Sequence, residues 1–147
     1  MSFLDSYSAQ IRSILRIVTG LLFFSVGLAK IVHFPSLPMF AKVVPFDGIE
    51  GWGGMIELIG GGLVCIGFFS RYAAFICSGE MAIAYFLAHW AIVTPTPHSF
   101  YPVINGGAAA ILYCFVFLYF FAAGAGPLSV DAFLAKRSRN NASANPG

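Results

Sequence analysis

GWGGMIELIGGGLVCIGFF, residues 51–69, is a run of nineteen residues with one charge, Glu57. A helix of that length rises about 28 Å, close to the roughly 30 Å hydrocarbon core of a bilayer. The run reads as a transmembrane helix, and working outward from it finds three more: 14–32, 73–93 and 103–123. No segment reads as a strand. The expected fold is therefore all-α, a polytopic membrane protein built as an antiparallel bundle of four transmembrane helices. Composition points the same way. Of 147 residues, 59% are hydrophobic and 10% charged, with a mean hydropathy of +0.82. A soluble domain carries about a quarter charged residues, so the polar side chains here cannot clothe a water-facing surface. A net charge of +2 is too small and too dispersed for a nucleic-acid partner.

The connections set the arrangement. A tight turn at 70–72 makes its flanking helices antiparallel. Pro95, Pro97 and Pro102 end the third span and open the fourth. With alternating spans, Arg12, Arg16, Arg71, Lys136, Arg137 and Arg139 share one side, and only Lys30 and Lys42 approach the other. This positive-inside bias places both termini in the cytoplasm. The first span is expected to stay uncleaved, because Arg16 sits in its first turn and it heads a polytopic chain. The chain then divides into a membrane domain over 1–135 and a polar tail over 136–147, expected to be disordered and cytoplasmic.

Four charges fall inside the spans: Arg16, Lys30, Glu57 and Glu80. Each costs roughly 2.5 to 3.5 kcal/mol on insertion scales and is expected to find a partner in the interior. Arg16, Gly20, Gly27 and Lys30 fall within roughly an 80° sector of the first helix. Gly53, Glu57 and Gly61 form an i+4 series on the second, where small residues permit close helix contact. Counting from the cytoplasmic end, Lys30 lies at about 24 Å and Glu57 at about 20 Å, with Glu80 at about 10 Å and Arg16 near 3 Å but long enough to reach upward. Two ion pairs are predicted, Lys30 with Glu57 and Arg16 with Glu80.

Trp52, His89, Trp90 and Asn105 collect near the opposite ends of the spans. The tryptophans suit interfacial anchors. Asn105 enters the fourth span at the height of Lys30 and both donates and accepts hydrogen bonds. His89 follows Glu80 by nine residues, about 180° around a straight helix, so the two are not expected to share a cavity. Cys65, Cys77 and Cys114 lie singly in apolar runs and read as packing residues. No metal site is expected, since only His89 lies within a span.

The segments RIVTGLLFFSVGLAK (16–30), ELIGGGLVCIGFFSRYAA (57–74), NGGAAAILYCFVFL (105–118) and GAGPLSVD (124–131) together resemble the DoxX family of small four-helix membrane proteins. One position departs: the family's NGG is typically followed by Glu, and Ala108 stands there, which leaves the site one carboxylate short. The resemblance implies an inner-membrane bundle and an association with quinone-dependent sulfur oxidation and quinol oxidases. It points to a subunit or accessory factor of a quinone-linked oxidoreductase with no cofactor of its own, at most a quinone-binding or non-catalytic subunit. Lys30, Glu57, Asn105 and Trp52 would then line a pocket for a quinone head group or small oxyanion, and the partners would be other membrane or peripheral redox proteins or further copies of the chain. Two other readings remain open: an assembly protein whose glycine faces bind partner helices, and an oligomeric small-solute carrier or channel using the same charges.

Overall fold

A computed structural model describes residues 2–91 and 98–144. The described residues form helices and turns and no strand. Helix α1 spans Ser2–Ile31, α2 Gly48–Ile66 and α3 Ser70–Ala84, which runs on as a π-helical stretch, Tyr85–Trp90. A short α4, Pro102–Asn105, precedes α5, Ala108–Ala123, and α6 covers Val130–Ala144. Three segments, Tyr7–Ile31, Gly48–Ile66 and Ser70–Trp90, are long and apolar enough to cross a membrane, while α5 is a shorter apolar helix. The exterior fits lipid: Ile11, Ile59, Phe75, Ile83, Leu112 and Phe115 all point outward, more than half exposed, a surface that water-soluble monomers rarely display.

Helix α1 packs along α2, α2 against α3 and α3 against α5. The α1–α2 contact is a backbone-to-backbone approach. A Cβ added to Gly20 would lie 2.5 Å from Cys65 N, one on Gly27 2.2 Å from Leu58 N, and one on Gly61 2.5 Å from Phe24 N. These glycines are used up inside the chain. Elsewhere the core is aromatic, with Phe23 edge-on to Phe117 at 4.7 Å and tilted against Tyr113 at 5.4 Å. All three cysteines are free, and Cys77 is fully buried where only Gly60 leaves room for its sulfur. Ser78 donates to the Cys114 carbonyl at 2.8 Å, tying α3 to α5 by a polar contact of the kind that supports helix association in lipid.

Several boundaries differ from expectation. The second helix ends at Gly67, whose φ of +73° lets its N–H and that of Phe68 fold back onto the Val64 and Leu63 carbonyls. The third helix consequently starts at Ser70 rather than 73; its expected end at 92–93 lies outside the described residues. The fourth span is not one helix. Gly106 takes φ +72°, and Asn105 Oδ1 accepts the Gly107 N–H at 2.7 Å, so the chain turns there before α5 begins. The tail expected to be disordered from 136 instead continues α6 as far as Ala144.

Candidate functional site

Two clusters of polar side chains lie at opposite ends of the α1–α2 pair. At the first, Lys30 in the last turn of α1 donates from Nζ to Glu57 Oε1 at 2.8 Å, with the Glu57 side chain 3% exposed and that of Lys30 16%. The Phe40 ring lies 5.6 Å below the ammonium, adding a cation–π attraction. Glycines make the space: a Cβ on Gly54 would press on Lys30 Cβ at 3.1 Å, and one on Gly53 would sit 3.1 Å from Glu80 Oε1. Glu80 thus reaches across from α3 toward α2, near enough to feel the charges of Glu57 and Lys30. Oε2 of Glu57 and Oε2 of Glu80 are both buried with no hydrogen-bond partner among the described residues.

Beside this group a cavity of about 560 Å³ opens between α2 and α3. Lys30, Glu50 and Glu80 are its charged lining residues, and Trp52, Phe75 and Ile83 supply much of its apolar wall. Trp52 is held edge-on against Phe46 at 5.0 Å.

The predicted Arg16–Glu80 pair does not form. Arg16, fully buried, donates from Nε to Ala125 O at 2.8 Å, from Nη1 to Val64 O and Cys65 O, and from Nη2 to Leu128 O. Two of these acceptors are carbonyls at the end of α2, where the helix has no intrahelical donors left and its dipole favours a cation. The guanidinium is satisfied by backbone, and Glu80 is left to the other cluster. The early start of α3 raises Glu80 by three residues, roughly 4.5 Å, toward Lys30 and Glu57.

Around Arg16 the chain is knotted together. Asp131 accepts from Phe69 N and Ser70 N, each at 3.0 Å, and from Ser70 Oγ at 2.6 Å, capping α3 from outside its own sequence. Burial alone would push the Asp131 carboxyl up, but the Ser70 and Phe69 hydrogen bonds and the Arg16 charge outweigh it and hold the group below the usual carboxylate range. Ser13 Oγ accepts the Leu128 N–H at 3.3 Å, and Arg71 donates to the Phe121 and Ala122 carbonyls at the end of α5.

Asn105 does not join Lys30. Its amide donates to Ser99 O at 3.0 Å and to the Tyr85 hydroxyl at 3.4 Å, and its oxygen holds Gly107, so the side chain is committed to shaping the α4–α5 turn. His89 lies within reach of this turn, Nδ1 to Asn105 O at 3.2 Å; it sits on the π-helical stretch, where the spacing of a straight α-helix no longer applies. Trp52 does line the cavity. Sequence reasoning missed Glu50 and Glu80 as cavity residues and Asp131 as a cap. Asp131 had a signal, its place in GAGPLSVD, while Glu80 had only the position of the helix start. Among the described residues no group of three His, Cys, Asp or Glu side chains is placed to hold a metal ion.

Helices and turns with no strand among the described residues, three candidate spans, an apolar exterior and buried charges beside a lateral cavity define a polytopic membrane protein. The DoxX family profile matches residues 11–90, a stretch holding Arg16, Lys30, Glu57 and Glu80, and the chain belongs to the DoxX family. A protein of Haemophilus influenzae, described only as uncharacterized, is 39% identical over 131 residues, covering 89% of this chain and 96% of that one. No solved structure matches.

Proposed function

We propose that this protein is a subunit or accessory factor of a quinone-linked membrane oxidoreductase and that the cavity between α2 and α3 receives a quinone head group. The observation that carries the reading is a largely apolar cavity of about 560 Å³ with Lys30 in its wall. A quinone ring is flat and apolar with carbonyl oxygens that accept hydrogen bonds. Lys30 gives one N–H to Glu57 and, having three, keeps two for such an oxygen. Glu57 orients the ammonium, and Trp52 and Phe75 flank the ring. The chain supplies no redox group in this reading; electrons pass between the quinone and a partner protein. Helices α4 and α5 together make the fourth crossing of an antiparallel bundle in the inner membrane, with both termini on the cytoplasmic side where six of the eight basic residues gather. The assembly reading loses support, because Gly20, Gly27 and Gly61 are spent on the α1–α2 contact.

A short-tailed ubiquinone analogue tests the site. At a hundred times its Kd it should stabilise the folded protein by about 2.7 kcal/mol, and an unchanged melting temperature at every soluble concentration overturns the proposal. A reporter fused at the C-terminus should be active as a cytoplasmic marker, and activity as an external one reverses the topology.

A further inference from the structure

With Glu80 ionised, the charges around the cavity do not balance. Lys30 is neutralised by Glu57 at 2.8 Å, which leaves Glu80 without a counter-charge, its Oε2 buried and unpartnered. The charged and titratable groups around Glu80 are Glu57 on α2, Lys30 on α1 and Cys77 on its own helix, and Glu50 lies in the cavity wall. The only cation among them is already paired. A buried carboxylate in low dielectric demands compensation. An anionic ligand would worsen the excess, and a neutral one such as a quinone is accommodated only with a proton on Glu80.

We propose that the cavity binds a hydrophobic organic monocation, with Glu80 as its counter-charge and the Trp52 and Phe75 rings as its walls. Route and chemistry agree. Trp52, Phe75, Ile76 and Ile83 at the cavity edge are 56%, 58%, 55% and 54% exposed on a surface that faces lipid, so a ligand with an apolar body enters from the hydrocarbon. Aromatic faces attract a weakly hydrated cation most strongly when water is excluded. Gly79, with open space where its Cβ would lie, and Gly53 keep the approach to Glu80 clear.

The inference concerns the cavity that the quinone reading uses and gives it a second class of occupant; neither probe nor readout involves a quinone, so each reading fails on its own test. Tetraphenylphosphonium, charged at every pH, is titrated against the full chain in lipid nanodiscs beside its neutral isostere tetraphenylsilane, following tryptophan quenching with empty discs subtracted. The wild-type chain should bind the cation saturably and at least about tenfold more tightly than the isostere. Binding should weaken as pH falls and protons compete for Glu80. Glu80→Gln should lose about tenfold in affinity, while Glu80→Asp, which keeps the charge, should retain binding. Equal binding of cation and isostere by the wild-type chain, cation binding independent of pH, or unchanged affinity in Glu80→Gln overturns the proposal. Failure of the cation to bind between pH 6 and 9 does so too, the carboxyl then keeping a proton as its compensation.

Discussion

Replacing Gly27 by alanine adds one methyl group about one turn from the C-terminal end of α1, and the structure says where it goes. The new Cβ would stand 2.2 Å from Leu58 N and 2.7 Å from Glu57 C, both backbone atoms of α2. Ordinary van der Waals contact begins at 3.4 Å, so the two helices must part by roughly 1.2 Å along that line. No side chain can swing away to absorb the clash. Overpacking of this kind costs about 1–3 kcal/mol, and the displacement falls one residue from Glu57, whose bond to Lys30 at 2.8 Å is stretched by the same movement. Gly79→Ala is the matched control: nothing lies within 4 Å of the added methyl, and the gain in helix propensity, up to about 1 kcal/mol, should leave that variant as stable as the parent or slightly more so. Thermal unfolding in mild detergent, followed by the folded fraction recovered on size exclusion, measures both. A Gly27→Ala protein that melts with the parent would refute the close α1–α2 approach and the site geometry that depends on it.

Lys30→Met or Glu57→Gln alone leaves one buried charge unpaired and should cost about 3–5 kcal/mol, whereas the double variant should recover most of that loss in the same unfolding assay. Arg16→Lys should destabilise by about 3 kcal/mol or more, because a single ammonium cannot serve four separated carbonyls as the guanidinium fork does; equal melting temperatures would remove the knot from the account. Asp131 has a folded-state carboxyl below its ordinary value, so its contribution to stability is full above about pH 4 and is lost as pH falls through the lower folded value. Unfolding measured from about pH 6 downward should therefore lose a step in Asp131→Asn that the parent shows.

The sequence was most legible where the solvent writes the pattern. Apolar runs near the length of a bilayer crossing specify membrane helices with no reference to their neighbours, and three of them are present as long helices at 7–31, 48–66 and 70–90. The Lys30–Glu57 contact was legible for a related reason: both residues lie on one sector of adjacent helices joined by a loop, so rise per residue brings them to one height. The tertiary structure decided what depends on backbone groups that the side-chain pattern does not record. Arg16 carries the same charge as Lys30, yet its partners are carbonyls set free by the end of α2 at Gly67 and by the turn at residues 125–128, and a list of side chains pairs it with Glu80 instead. Asn105 reads as a pocket residue until Gly106 turns the chain and draws the amide into the turn. Charge and hydropathy determined the solvent, the helices and one ion pair. Which carboxylate stays without a partner was settled by where the helices end, because four backbone carbonyls gathered at a helix end and a turn satisfy the buried Arg16 guanidinium in place of a carboxylate.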